Sequence, residues 1–220
     1  MVINHVLWLQ LFTVIIYFPS FSNSDPEPIH DYCVADTKTP RDFFLNGVPC
    51  INPNQTMVSH FATSALSKPG DMNRFKFNVT LTDTNNLPGV NTLGLTMARI
   101  DIAVNGLVPP HSHPRASEVT MLLEGSLLVG FVDTSNRLHT QRLRPGDSFV
   151  FPKGLIHFLY NTHVKIPALA VSGLSSQNPG AQISSVAAFT SNPLIPDEVL
   201  TKGFKISGQD VVRIRSNLGG

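Results

Sequence analysis

Short apolar runs separated by turn residues dominate the chain from Leu93 to Leu174. Seven of these runs have the length and residue types of β-strands, and they cover residues 93–104, 118–125, 126–133, 137–143, 147–152, 156–161 and 167–174. Turn signals fall between them at Asn105-Gly106, Glu124-Gly125, Thr134-Ser135-Asn136 and Pro145-Gly146-Asp147. Many short strands in regular succession predict an all-β fold, an antiparallel sandwich or barrel such as a jelly roll.

Six apolar positions on these strands are assigned to the core or the barrel wall rather than to chemistry. They are Met121, Leu123, Leu127, Val129, Phe149 and Phe151. Large apolar side chains on strands of a β domain most often serve packing.

The amino-terminal segment has a different pattern. Val6 to Phe18 is almost wholly apolar, is too short to span a bilayer comfortably, and is followed by small polar residues. Residues 1–24 are interpreted as a cleaved secretory signal peptide, with cleavage predicted between Ser24 and Asp25. An amino-terminal membrane anchor is the alternative, because the segment before the apolar run lacks Lys and Arg.

The carboxyl-terminal segment predicts two short amphipathic helices. A proline and two acids, Pro196-Asp197-Glu198, begin the first, and Ser207 with Asp210 three positions later begins the second. These helices are candidate oligomer contacts, and packing on their own barrel is the alternative. Residues 25–220 are therefore predicted to form one domain, with an amino-terminal arm and first strands over 25–92, a barrel core over 93–190 and a helical extension over 191–220.

Charge and cysteine content limit the partners and the cellular compartment that can be expected for the chain. Only 14% of the residues are charged and the formal net charge is +1, so no basic surface for nucleic acid or acidic lipid is expected. The two cysteines, Cys33 and Cys50, are predicted to form a disulfide in a secreted chain, whereas two free thiols would suit a reducing compartment. A disulfide closing a loop of this length would stabilise the fold by about 3 kcal/mol.

Secretion also gives meaning to two Asn-x-Thr sequons, which begin at Asn54 and Asn78. Glycosylation is predicted at either asparagine. The segment between them is rich in Ser, Thr, Asn, Gly and Pro, and it is interpreted as a surface arm or loop.

The stretch from Pro109 to Glu118, PPHSHPRASE, carries the strongest chemical pattern. His111 and His113 are two residues apart, so their imidazoles share one face of an extended backbone, and Glu118 opens the next strand. His157 lies on a later apolar strand and is the fourth candidate. These four residues predict a metal site formed by folding, whereas His30, His60, His139 and His163 are interpreted as surface or hydrogen-bonded residues.

These motifs resemble the germin-like proteins, which are secreted plant members of the cupin superfamily. The resemblance rests on GLVPPHSHPRASEVTMLLEGSLLVGF at residues 106–131, on RPGDSFVFPKGLIHFLYN at residues 144–161, and on DYCVAD, SSQNPG and PDEVLTKGF elsewhere. It implies a cupin jelly-roll β-barrel and a manganese ion held by His111, His113, Glu118 and His157. It also implies assembly into trimers or hexamers through the terminal helices, and residence in the apoplast or cell wall.

The same resemblance bears on the reaction. The family's oxalate oxidases surround the metal with amide side chains at three positions that are Ala98, Val108 and Leu159 in this chain. Period-two geometry places Leu159 on the face that carries His157. Because a buried dianion needs hydrogen-bond donors, at about 1 to 3 kcal/mol per lost contact, oxalate oxidase activity is expected to be absent or very weak.

Two functional hypotheses follow from the resemblance. The first is manganese-dependent dismutation of superoxide, an activity reported for various germin-like proteins, in an extracellular protein of plant defence or development. The second is a non-catalytic extracellular glycoprotein or a cupin that binds a small molecule such as auxin. Redox activity that depends on manganese would favour the first hypothesis, and saturable ligand binding at the metal pocket would favour the second.

Overall fold

Two antiparallel five-stranded sheets face each other in the computed structural model, which describes residues 30–39 and 47–219. The strands are β1 (Phe77–Leu81), β2 (Thr96–Ile102), β3 (Leu107–Ser112), β4 (Glu118–Glu124), β5 (Leu127–Val132), β6 (Leu138–Leu143), β7 (Ser148–Phe151), β8 (His157–Tyr160), β9 (Ala168–Leu174) and β10 (Gln182–Ile183). The first sheet has the order β1-β2-β9-β4-β7 and the second has the order β10-β3-β8-β5-β6. The predicted all-β fold, built of antiparallel strands in two layers, is therefore confirmed.

The core lies between the sheets and follows the two-residue period of the strands. In β4 every second residue from Glu118 to Leu122 is buried, and β9 repeats the pattern from Ala168 to Leu174. The inward side chains form one continuous cluster, made up of Phe77, Ala98, Ile100, Ile102, Val108, Ala116, Leu122, Leu127, Val129, Leu143, Phe151, Leu159, Ala168, Ala170 and Leu174. One face of each strand therefore supplies the packing that holds the two sheets together.

The six assigned core positions divide into two groups. Leu127, Val129 and Phe151 are buried, and Phe149 is partly buried against the same cluster. Met121 and Leu123 are 40% and 41% exposed on a strand, so they belong to the barrel wall and not to the core. Both alternate along β4 with the buried residues, so the pleat directs their side chains to the outer face of the sheet.

Four elements were not among the predicted strands and helices. One is β3, because the stretch around His111 was expected only to be extended. The strand β1 begins inside the segment interpreted as a surface arm or loop, the strand β10 has two residues, and an unexpected helix α1 spans Ser184–Phe189. Each is short, and β10 and α1 follow directly on a loop rich in Ser, Asn and Gly. The conformation of the strands among them depends on long-range pairing, such as that of β1 with β2, which a local pattern does not contain.

The helical extension contains the two expected helices, α2 (Asp197–Phe204) and α3 (Gly208–Asn217). The Ser207 hydroxyl accepts from the Asp210 amide at 3.2 Å, and the Asp210 carboxylate accepts from the Ser207 amide at 3.1 Å, so the pair forms a capping box. Phe189, Leu200 and Val211 make a small buried cluster that is separate from the barrel core. The helices thus pack mainly on one another.

The predicted disulfide between Cys33 and Cys50 is present and pins the amino-terminal arm. Buried Asn91 supports it, since its side-chain amide donates to the Cys33 sulfur at 3.1 Å and to the Val48 carbonyl at 2.8 Å. Val34 beside it is almost fully buried.

The predicted signal peptide and its cleavage position lie outside the described residues. Among the described residues, no helix is long and apolar enough to cross a membrane.

Candidate metal centre

Four side chains from both sheets converge inside one end of the barrel. His111 on β3 and His157 on β8 come from the second sheet, Glu118 opens β4 in the first sheet, and His113 lies in the loop that joins β3 to β4. One ligand-type atom from each of the four lies within 4.8 Å of the others. The structure therefore brings together all four predicted metal-site residues, and a cation among them would tie the two sheets to each other.

The strand β3 is shaped so that its histidine faces this centre. Val108 pairs with Leu159 and His111 pairs with His157, so the register shifts across Pro109 and Pro110. Proline has no amide hydrogen to donate, and a bulge is where a sheet tolerates it. The bulge places His111 beside His157, with ring centroids 4.1 Å apart.

Backbone carbonyls orient all three imidazoles through Nδ1. His111 Nδ1 lies 2.8 Å from the Pro109 carbonyl oxygen, His157 Nδ1 lies 2.9 Å from that of Leu155, and His113 Nδ1 bonds to that of Gly180. A carbonyl only accepts, so each Nδ1 carries the hydrogen and donates it. Each neutral ring then directs the lone pair of Nε2 elsewhere, which is the arrangement of metal-binding histidines.

Glu118 is held by a short chain of buried hydroxyls. Its Oε1 accepts from the Thr120 hydroxyl at 2.8 Å, and Thr120 Oγ1 lies 2.7 Å from Ser172 Oγ. Thr120 and Ser172 are paired across β4 and β9, and both are buried. These contacts satisfy Oε1 and leave Oε2 for the centre, where it lies 3.0 Å from His113 Nε2 and 3.4 Å from His157 Nε2.

The centre requires a positive charge between its acceptor atoms. His157 Nε2 is buried and finds no hydrogen-bond partner among the described residues, although a carboxylate oxygen lies 3.4 Å away. With Nδ1 protonated, neutral imidazole presents only a lone pair to that oxygen, and facing lone pairs repel unless a cation lies between them. The orphaned nitrogen therefore fits a metal ion.

The pKa values follow the same electrostatics. Burial and the neighbouring His157 lower the pKa of His111 to about 4, so this ring stays neutral. For His113, burial acts downward, but the Glu118 carboxylate and the Gly180 carbonyl outweigh it and raise the pKa. Burial alone would raise the pKa of Glu118, yet contacts with His113, His157 and Ser172 hold it well below its usual range. A carboxylate and neutral imidazole are the forms that bind metals.

The donor set admits several divalent metals. Imidazole suits zinc, copper, iron and nickel, whereas a carboxylate suits harder ions such as manganese. Three nitrogens and one or two carboxylate oxygens leave positions open around an octahedral ion, as a site that receives a small ligand requires.

A cavity of about 440 Å³ reaches His111, His113 and Glu118, and most of the other side chains that line it are aliphatic. Ala98, Val108 and Leu159, the three positions singled out from the sequence, all line it. Leu159 is buried on the inward face of β8, two residues after His157, as the strand period predicts. The other wall is the segment Asn178 to Ala181, which follows β9.

The remaining predicted sites lie away from the centre. Asn54 is exposed, and Asn78 is half-buried with its side-chain amide donating to the Asp71 carbonyl at 3.1 Å. Glycosylation of either stays a prediction. His139 pairs with Asp133 at 2.8 Å, and the His60 and His163 rings accept from nearby backbone amides, which agrees with a structural role for these histidines.

Sequence reasoning missed several residues that support the centre. Thr120 could have been found, because it follows Glu118 by two positions and therefore shares its face of β4. Ser172 and Gly180 reach the centre only through strand pairing and chain return, and no local spacing marks them.

Comparison with known sequences identifies the class. The cupin family profile matches residues 63–212. Germin-like protein subfamily 1 member 1 of Arabidopsis thaliana is 60% identical over 200 residues, covering 90% of this chain and 92% of the relative. Germin-like protein 3-1 of Oryza sativa subsp. japonica is 52% identical over 221 residues, covering 98% and 96%. The chain therefore belongs to the cupin family and, within it, to the germin-like proteins.

Solved structures agree with this assignment. A structure of oxalate oxidase superposes with a TM-score of 0.83 at 38% identity, covering 88% of this chain and 97% of that one. Peruvianin-I, described as a cysteine peptidase from Thevetia peruviana latex, superposes with a TM-score of 0.68 at 40% identity, covering 72% and 97%.

Proposed function

We propose that this germin-like protein is a secreted manganese protein that dismutates superoxide to hydrogen peroxide and does not oxidise oxalate. The observation that carries the proposal is the position of the metal centre. A buried cluster of three histidines and one glutamate lies at a cavity whose other lining side chains are mostly aliphatic. His111, His113, Glu118 and His157 would hold the manganese ion.

The aliphatic wall argues against oxalate as the substrate. Oxalate carries two negative charges, and both carboxylates need hydrogen-bond donors once they leave water. Ala98, Val108 and Leu159 provide none, and all three are buried. The fold likeness to oxalate oxidase therefore does not carry its substrate to this chain.

Superoxide makes smaller demands on the pocket. It carries one negative charge, and dismutation uses two superoxide ions and two protons to give dioxygen and hydrogen peroxide. Manganese supplies this chemistry when bound because it alternates between two oxidation states, which zinc does not. The protein's part is to hold the ion through its four side chains and to leave positions free for a small anion.

Secretion and a plant cell-wall location form part of the proposal. The disulfide suits an oxidising compartment, and the apolar segment at residues 6–18 has the composition of a signal peptide. Exposed Asn54 is the better glycosylation acceptor, because Asn78 packs against Gly70 and its amide is already bonded. Hydrogen peroxide production at the wall would suit a role in plant defence or development.

Assembly into a trimer or hexamer is also proposed. Val199 and Phe204 on α2 and Val212 on α3 are each more than half exposed, although α2 and α3 already bury their other apolar side chains together. Apolar side chains left outside such a small cluster favour contact with further copies of the chain. Light scattering of the secreted protein would measure the assembly, and Phe204→Glu should shift it toward monomer.

Metal analysis and activity assays on one secreted sample test the proposal. We expect manganese equimolar with the chain, superoxide dismutation that is lost on chelation, and no oxalate turnover. Oxalate turnover would contradict the interpretation of Ala98, Val108 and Leu159. Manganese without either activity would overturn the enzyme and leave a binding protein.

The cavity favours one alternative, a cupin that binds a small organic molecule. An aliphatic chamber of about 440 Å³ that ends on a metal centre would suit a ligand with an apolar body and one anionic group. Titration calorimetry with indole-3-acetate and with benzoate would measure such binding. Saturable binding that Leu159→Arg abolishes, in a protein without dismutase activity, would establish this alternative.

Peptidase activity of the kind named for Peruvianin-I is not proposed for this chain. The sequence contains two cysteines, and both are joined in the disulfide. A cysteine peptidase requires a free thiolate as its nucleophile.

A further inference from the structure

The three histidines of the centre are oriented in two different ways. His111 and His157 each bond to the carbonyl two residues earlier in their own strand region. His113 instead bonds to the Gly180 carbonyl, which lies 67 residues further along the chain. The orientation of His113 therefore depends on where a distant loop is held.

The loop is attached to the chain around His113 by a ladder of contacts. The Ser117 amide donates to the Ser175 hydroxyl at 2.9 Å, and the Arg115 amide donates to the Pro179 carbonyl at 3.2 Å. Within this ladder the Arg115 side chain makes two more bonds, both to Asn178. Its Nε donates to the Asn178 carbonyl at 2.6 Å, and its Nη2 donates to Asn178 Oδ1 at 3.0 Å.

Arg115 also lies directly over the glycine that bonds to His113. A β-carbon at Gly180 would come within 2.9 Å of Arg115 Nη2, and Gly180 has a positive φ of 67° that suits glycine. The guanidinium therefore donates two hydrogen bonds to Asn178 and packs over Gly180. A planar guanidinium can do both because its donors form a rigid fork, which lysine lacks.

We propose that Arg115 is a positioning residue for His113, acting through the segment from Asn178 to Gly180. By fixing the Gly180 carbonyl, it keeps the hydrogen of His113 on Nδ1 and the Nε2 lone pair on the centre. The same segment walls the cavity, so the position of the loop also sets the shape of the chamber beside the metal. The part of this inference that concerns metal retention rests on the proposed metal binding.

Two measurements on the assembled protein test the role of Arg115. The first is the histidine-ring ¹⁵N spectrum of the metal-free protein at alkaline pH, where neutral rings report their tautomer. In Arg115→Ala we expect His113 to change from Nδ1–H to a mixture, while His111 and His157 stay unchanged as internal controls. The second is release of manganese to a chelator, which we expect to become roughly tenfold faster, as is usual when a group that orients a ligand is lost.

Two further variants distinguish the orientation of His113 by Arg115 from the effect of its positive charge and from a general loosening of the structure. Arg115→Lys keeps the charge without the fork and should release metal at an intermediate rate. Arg142→Ala removes another exposed arginine, one whose side chain bonds to Thr162 at 2.6 Å, and should behave like the wild type.

A His113 tautomer unchanged in Arg115→Ala, or equal changes in all three histidines, would overturn the inference. A wild-type protein that bound no metal would overturn the proposed function, while the ¹⁵N spectra would still decide the role of Arg115.

Discussion

The metal cluster and the aliphatic wall beside it are built on the same strands, yet they differ completely in polarity. On β8, His157 and Leu159 are successive inward positions, and on β3, Val108 precedes His111 across the bulge. The cluster binds its polar atoms to carbonyls and hydroxyls, whereas the side chains of Ala98, Val108 and Leu159 offer no hydrogen bond to a ligand. Metal binding and substrate recognition are therefore separate properties of this barrel, so a retained metal site does not imply a retained substrate.

Removing one side chain of the metal cluster should have the largest effect, because the cluster has only four. His111→Ala and Glu118→Ala are expected to lose the metal and any metal-dependent activity, since each takes one donor from a centre of four. Elemental analysis of the purified variants measures the loss. His139→Ala, which removes a histidine outside the centre, is the control. Full metal occupancy in Glu118→Ala would show that the ligand assignment is wrong.

Chelation should have the next largest effect, on stability. A ligand that binds only the folded state stabilises it by about 2.7 kcal/mol when present at 100 times its dissociation constant. Because an ion would join Glu118 of one sheet to His111 and His157 of the other, we expect thermal unfolding several degrees lower after metal removal. Calorimetry with and without added manganese measures this shift. A shift that persisted in His157→Ala would place the ion elsewhere.

Making the wall polar should destabilise the protein to a smaller extent. Leu159→Gln buries an amide among aliphatic side chains, which costs about 1 to 3 kcal/mol without partners. Denaturant unfolding measures the cost. Leu138→Gln, at a position on β6 that is 51% exposed, is the matched control and should change stability by no more than about 0.5 kcal/mol. Equal losses in the two variants would show that the wall is not a dry apolar surface.

The smallest effect is expected from the hydroxyl that orients Glu118. Thr120→Val keeps the shape and removes the bond to Glu118 Oε1, so metal affinity should fall roughly tenfold. Competition with a chromophoric chelator measures the affinity. Thr140→Val removes a hydroxyl that bonds to the Val129 carbonyl on the outer strand pair and should leave metal affinity unchanged. Equal affinities for Thr120→Val and wild type would show that the buried hydroxyls do not support the ligand.

Much of this architecture could be predicted from the sequence because its signals are local. Alternation and turn residues marked most strands, the Ser207 and Asp210 pair marked the start of α3, and Leu159 fell on the face of His157. The spacing of His111, His113 and Glu118 gave three of the four clustered residues, and His157 stood out on its strand. The sequence did not separate the exposed wall residues Met121 and Leu123 from the buried ones, because hydrophobicity alone does not say which face of a strand is inside.

What could not be predicted depends on contacts between distant segments. Gly180 contacts His113 only because the chain returns beside β3, and Ser172 contacts Thr120 only through the register of β4 and β9. The cavity likewise exists only when both sheets and the segment from Asn178 to Ala181 are in place. Such groups orient the side chains of the centre, whereas the four residues of the cluster lie in sequence motifs that can be recognised locally.

The proposed dismutase activity can be measured as the decay of superoxide in the presence of the protein. Stopped-flow measurements would follow the decay with the metal-free protein, and then after reloading with manganese or with zinc. We expect rapid decay with manganese only, because the four side chains would hold either ion but zinc cannot change oxidation state. Decay that was equally fast in the metal-free protein, or equally slow after manganese loading, would contradict the account.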